Sequence, residues 1–388
     1  MSAKMEVRHI MNFTRLGQYL DTLKDVHIPA WDIAVYKDHE PIYRHMAGYR
    51  DREQTLPLQG DETYCLYSAT KVVTTCAVMQ LVGQEKLHLD DPVSWYLPAF
   101  SSLKVKKGDA VVPAERVMTI RHLLSRQSGL DYETDTPEIR KVMSDTDKHA
   151  TTRQIVDSLP QRPLCFEPGT DFLYSMSHDV LGALIEVVSG QSFSEYLKDH
   201  IFTPLGMTTI GFSLKEADQK RLCAQYVFNE ETGGIDDLPD HVTTYRISDR
   251  YESGGAGLMS NVQDYITFAD ALACGGRAPD GTQILSPEMM ELWRANQLGP
   301  KARRSFDEWQ RLGYSYGLGV RTRVDLTKGG PGTIGEFGWD GAAGAFALID
   351  PYRHVSAFFA MHVKSYGYVY DVVHPKIRTL IYEGLEQE

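Results

Sequence analysis

Apolar residues recur three and four positions apart at Phe13, Leu16, Leu20 and Leu23, which predicts an amphipathic helix that opens the chain and ends near Val26. The period then changes. Ile33-Ala34-Val35-Tyr36 and Ile42-Tyr43-Arg44-His45-Met46-Ala47 flank the polar Lys37-Asp38-His39-Glu40-Pro41, a pattern that predicts two strands joined as a hairpin. Between about residues 61 and 304 helical segments dominate, separated by loops rich in Pro, Gly and Asp. One of them carries Leu181, Leu184, Ile185 and Val188, with Ser177 as its expected N-cap and Gly190 just past its end.

Strand patterns return late, at Tyr316–Val320, Ala345–Ile349 and His354–Met361, the last two meeting at Asp350-Pro351-Tyr352-Arg353. A closing helix places Ile377, Leu380, Ile381 and Leu385 on one side. The expected fold class is α+β. An antiparallel sheet is built from both ends of the chain, residues 1–60 and 305–388, and flanked by helices, with a mainly helical region, 61–304, inserted into it. A site would lie in the crevice between them.

The 388 residues, 42% hydrophobic and 24% charged, describe an ordinary globular protein with ample material for a buried site. A formal net charge of −12, with no basic block to offset it, argues against a nucleic-acid partner and for a small, neutral or apolar substrate. Five cysteines, Cys65, Cys76, Cys165, Cys223 and Cys274, are widely spread and read as core residues of a reducing compartment. Met1–His9 lacks the apolar run of a signal peptide, and no run is long enough to span a bilayer, so the expectation is a cytoplasmic protein with no membrane partner. Oligomeric state is left open. The histidines show no metal-ligand spacing, so neither a metal nor a cofactor is expected.

The chemistry concentrates at Ser68-Ala69-Thr70-Lys71, which opens the apolar stretch Val72–Val82. If the stretch is helical, Ser68 and Lys71 share a face, and the helix dipole favours a developing alkoxide whose proton the amine accepts. No charge follows Lys71 until Glu85, so an isolated lysine in apolar surroundings should hold its proton weakly. A second Ser-x-x-Lys, Ser101-Ser102-Leu103-Lys104, runs into a lysine-rich turn and reads as surface.

A rival nucleophile is Ser315 in Gly313-Tyr314-Ser315-Tyr316-Gly317, with His354, His362 and His374 downstream in the order an α/β-hydrolase elbow requires. An elbow needs a buried strand before its serine and a helix after it. Charged residues Lys301–Glu308 precede this one and a Gly-rich alternating segment follows, so the match reads as the start of a strand.

A Ser/Lys pair also needs a proton path and an oxyanion hole. Pro168–Asp179 delivers Tyr174 just before a helix, and Phe337–Gly344 exposes backbone N–H groups among small residues.

In these three segments the chain resembles the serine β-lactamase and penicillin-binding-protein superfamily, and within it the class C-like, family VIII carboxylesterases. Ser68-Ala69-Thr70-Lys71 resembles the Ser-x-x-Lys motif, Tyr174-Ser175-Met176 stands at the Tyr-x-Asn position, and Trp339-Asp340-Gly341 stands at the Lys-Thr-Gly position. His122–Leu130, Gly254–Ser260 and Tyr316–Gly319 look like accessory landmarks. The resemblance implies that Ser68 is acylated, that Lys71 and Tyr174 form its base, and that the backbone N–H groups of Ser68 and Ala342 make the oxyanion hole. It also puts Trp339, Met176 and Gly341 against the substrate. His178, beside Asp179, stays outside this set.

Two departures from the family pattern bear on substrate. Trp339 replaces a cation that would help bind a substrate carboxylate, and Met176 replaces an amide that would contact Lys71 and a substrate amide. Both favour an uncharged small or medium ester over a β-lactam or peptide, with acyl transfer to an alcohol as a variant outcome. The alternatives are a β-lactamase or D-aminoacyl peptidase of the same fold, and a non-catalytic penicillin-binding-like module.

Overall fold

Strict alternation in Ala30–Lys37 divides its side chains between two cores and so fixes where this strand lies. Ile33 and Val35 turn to one face of the sheet, and Ala30 and Ala34 to the other. This is a computed structural model, and it describes residues 11–239, 245–307 and 312–386. The stretch Met1–His9 and residue Glu308, both read above, lie outside the described residues.

Seven antiparallel strands form the main sheet, in the spatial order Glu40–Gly48, Ala30–Lys37, Val355–Met361, Phe346–Asp350, Phe337–Gly338, Arg321–Arg323 and Tyr314–Tyr316. Trp31 lies opposite Met361 and Lys37 opposite Val355, so strands from the two ends of the chain meet at the centre. One face packs Ile33, Val35, Leu348 and Phe359 against Leu16 and Leu20 of the Thr14–Leu20 helix and Ile377, Leu380 and Ile381 of the His374–Leu385 helix. The other packs Ala34, Ala347 and Phe358 against the inserted helices. Tyr265, on the Val262–Ala273 helix, stacks on Phe358 at 4.0 Å between ring centroids.

Thr70–Gly83 is apolar all round, and twelve of its fourteen residues, Thr70 to Leu81, are buried. Such a helix can only sit inside. Lys71, its one charged residue, is fully buried with it.

Four local readings are corrected. The late strand expected at Tyr316–Val320 is instead Tyr314–Tyr316, and Gly317–Val320 is the turn of a hairpin. Gly319, at φ 76°, supplies the left-handed residue of that turn. Ser177 is the first residue of the Ser177–Ser189 helix and does not cap it, because its hydroxyl bonds Ser128 and Ser175. Cys165 is exposed, and Cys274 is only partly buried.

His39, Asp270 and Cys274, distant in sequence, bring donor atoms within 4.8 Å of one another, a grouping that spacing along the chain does not reveal. The 2.7 Å His39–Asp270 contact ties the hairpin turn to the Val262–Ala273 helix. Among the described residues no helix is long and apolar enough to cross a membrane.

Candidate active site

The short 3₁₀ turn Tyr67–Ala69 delivers Ser68 to the head of the Thr70–Gly83 helix. Tyr67 takes φ 46°, an unusual conformation for a large residue, and is held there by burial and by its hydroxyl, which donates to Gln225 at 2.6 Å. Ser68 is thereby presented to a cavity of about 930 Å³ whose walls include Tyr174, Trp339, Gly341 and Ala342.

Lys71 Nζ lies 3.0 Å from Ser68 Oγ and 3.4 Å from the Tyr132 hydroxyl, and it donates to the carbonyl of Gly255. The Tyr174 hydroxyl donates to Ser68 Oγ at 2.8 Å and itself accepts from the Trp339 indole N–H at 3.2 Å. The Tyr132 and Trp339 rings both lie nearly parallel to that of Tyr174, with centroids 5.3 and 6.0 Å away.

Burial pushes Lys71 well below the ordinary lysine range. The Arg126 charge pushes the same way and Asp179 opposes both. Tyr174 moves upward: enclosure of the phenol outweighs Arg126 and the hydrogen bonds with Ser68 and Trp339. Both shifts favour the pairing of a neutral amine with a neutral phenol. The amine then donates to Gly255 and Tyr132 and accepts from the Ser68 hydroxyl, while Tyr174 holds a proton against the same oxygen. Ser68 can lose its proton to one neighbour while the other stands ready to give one.

At the third motif position Trp339 and Gly341 line the cavity beside Ser68, and each has a further partner. Trp339 is buried, and its N–H serves Tyr174. Asp340 pairs with Arg321 at 2.7 Å, and the Gly341 carbonyl accepts from Tyr370 at 2.9 Å. Ala342 follows in the tight turn closed by Gly344 N–H to Gly341 O.

Met176 is corrected as a substrate contact. It is 2% exposed, packs in the core and does not line the cavity, because the chain turns inward there to start the Ser177–Ser189 helix. His178 is fully buried, held by Thr75 at 3.1 Å and kept neutral by burial. Ser315 is fully buried and donates to Asn296, His354 pairs with Asp38, and His362 accepts from the Cys65 N–H. Lys104 and Ser101 are exposed.

Four further groups complete the surroundings of Ser68. Arg126 is buried, with its guanidinium 4.3 Å from the Tyr174 ring centroid. Asp179 accepts from Tyr251 at 2.8 Å and from Ser253 at 2.6 Å. Tyr132 and Gly255 hold the amine. Arg126 and Gly255 lie inside the landmark segments His122–Leu130 and Gly254–Ser260, a signal that those segments serve the site. Asp179 closes the segment that delivers Tyr174, whereas Tyr132 carried no signal.

Gly255 is required by close approach: a Cβ there would stand 2.8 Å from Asp179 Oδ2 and 3.0 Å from the Tyr132 hydroxyl. Gly255→Ala is therefore expected to displace the partners of Lys71 and slow ester turnover on the order of a hundredfold, measured as kcat/KM beside a thermal melt.

The family model described as Beta-lactamase matches residues 14–371, nearly the whole chain. The chain belongs to the beta-lactamase family. Within it, this beta-lactamase-family chain is 31% identical over 323 residues to an uncharacterized protein of Mycobacterium tuberculosis, covering 78% of each chain. It is 29% identical over 347 residues to Esterase EstB of Burkholderia gladioli, covering 82% of each. Among solved structures it superposes on EstCE1, a hydrolase with promiscuous acyltransferase activity, with a TM-score of 0.78 at 26% identity, covering 96% of this chain and 97% of that one.

Proposed function

We propose that the protein is a serine carboxylesterase that cleaves small to medium esters through an acyl-enzyme on Ser68. The observation that carries this reading is that Ser68 lies at hydrogen-bond distance from both a buried Lys71 and Tyr174, with Ser68 and Tyr174 lining one cavity. Similarity to EstB and EstCE1 supports it. In this reading the cavity is the crevice between the sheet region, 1–60 with 305–388, and the helical region, 61–304.

Lys71 takes the Ser68 proton as Oγ attacks the ester carbonyl, and the backbone N–H groups of Ser68 and Ala342 receive the oxyanion. Tyr174 gives its proton to the departing alcohol. This leaves an ammonium beside a phenolate, which the Trp339 N–H and the Arg126 guanidinium help to hold. Water then gives a proton to Tyr174 as it attacks the acyl-enzyme, and Lys71 returns its proton to Ser68. An alcohol in place of water yields acyl transfer, an outcome that the aromatic walls at Tyr245, Tyr314 and Tyr370 accommodate.

The preference for esters over lactams rests on Trp339, which fills a carboxylate-binding position with an indole whose N–H is already committed. A lost charge-assisted contact is worth about 1.5–3 kcal/mol, or about ten- to a hundredfold. Parallel rates on 4-nitrophenyl butyrate and a chromogenic cephalosporin are expected to favour the ester by at least that margin. Faster lactam turnover would establish the β-lactamase or peptidase alternative. Absence of a fluorophosphonate adduct by intact mass would establish the non-catalytic module.

A further inference from the structure

Three cations line the cavity, and two of them are committed elsewhere. Arg321 pairs with Asp340, and Arg378 pairs with Glu336. Lys364 is the third. Among the described residues no carboxylate lies within ion-pair distance of it.

Its position is defined by the backbone that builds the site. The short strand Val363–Lys364 pairs with Tyr226 and Val227, and the Val363 N–H donates to the Ala343 carbonyl, in the same turn that carries Ala342. Lys364 Nζ stands 5.3 Å from the ring centroid of Tyr67, the residue before Ser68. The amine thus lies beside the nucleophile's neighbour, on a strand whose backbone is tied to the turn expected to bind the oxyanion. Partial burial lowers its pKa, with Cys65 opposing, the direction expected of a cation that has lost water. Asp371 also lines the cavity, but it is exposed, where solvent and salt weaken its field.

We propose that Lys364 forms an anion subsite in this cavity, and that the preferred substrate is an ester carrying a free carboxylate on its acyl or its alcohol part. The inference rests on the esterase reading above and refines it: the reacting ester is uncharged, while a second group on the molecule is not. Trp339 withdraws a cation from one wall of the cavity, and Lys364 supplies one at another.

The test compares matched pairs of esters. For the acyl side, mono-4-nitrophenyl adipate is compared with 4-nitrophenyl hexanoate; for the alcohol side, 3-carboxyphenyl butyrate is compared with phenyl butyrate. The readout is the ratio of kcat/KM for the carboxylated and neutral members of each pair, in wild type, Lys364→Met and Lys364→Arg. In one pair the ratio is expected to fall at least tenfold in Lys364→Met, mainly through KM, and to be largely kept in Lys364→Arg. The pair that responds assigns the carboxylate to the acyl or the alcohol part. An unchanged ratio in both pairs, or an equal fall in Lys364→Arg, overturns the subsite. That failure leaves wild-type turnover of the neutral esters intact, whereas failure of the esterase reading shows as no turnover of any of the four by wild type.

Discussion

Alanine at position 68 leaves folded protein without measurable ester turnover, a loss in kcat/KM on the order of ten-thousandfold or more. The size of the effect follows from what remains. With Oγ gone, Lys71 still has Gly255 and Tyr132, and Tyr174 still has Trp339, so the surroundings persist while the atom that forms the acyl bond is absent. Ser68 is small and only 8% exposed, so the change creates little cavity and the thermal midpoint should barely move. The matching control is Ser315→Ala. It removes one hydrogen bond to Asn296, an exposed residue whose Oδ1 keeps the Leu298 N–H, and should cost about 0.5–1.5 kcal/mol of stability while keeping most of the activity. Initial rates with 4-nitrophenyl butyrate and intact-mass labelling by a fluorophosphonate read both variants. Labelling that survives in Ser68→Ala and disappears in Ser315→Ala would move the nucleophile to the other serine.

The parts of this molecule legible in its sequence are those in which a local pattern and a tertiary demand agree. Alternation at Ile33 and Val35 marks a strand because both faces of the sheet are covered, and the lone charge of Thr70–Gly83 marks a buried amine because nothing else on that helix wants water. The misread elements are those where neighbours decide. Tyr316–Val320 has the composition of a strand, yet Gly319 bends it into a turn that packs against Thr75 and His178, both far away along the chain. Met176 holds a motif position that suggests substrate contact, but the start of its helix rotates it into the core. Arg126 and Asp179 act on Lys71 through space, across 55 and 108 residues of chain, and no spacing rule encodes such a field. The same holds for Lys364, which among the described residues has no carboxylate within ion-pair distance, a property that exists only in three dimensions.

Arginine at position 71 is the substitution that separates charge from basicity. A guanidinium stays protonated throughout the accessible pH range, so Lys71→Arg puts a permanent cation near Ser68 and loses the acceptor for its proton. Turnover should fall about a thousand- to ten-thousandfold, within or near the range general-base catalysis supplies. The pH profile gives the sharper reading. Because burial holds the Lys71 pKa well below its ordinary 10.5, wild-type kcat/KM should rise with pH as the buried amine loses its proton, along a limb set below the ordinary lysine range. Lys71→Arg should show no such limb. Stability carries the opposite face of the same shift. Above pH 10.5 folded and unfolded chains both hold a neutral amine and the penalty vanishes; as pH falls toward the folded pKa, only the unfolded chain takes up the proton and the native state loses stability. Lys71→Met removes that titration, so its thermal midpoint should gain on wild type as pH is lowered from about 10 toward neutrality. A difference in midpoint that stays constant with pH, together with an acid limb that survives in Lys71→Arg, would show that the buried amine does not change charge in this range and that another group takes the proton from Ser68.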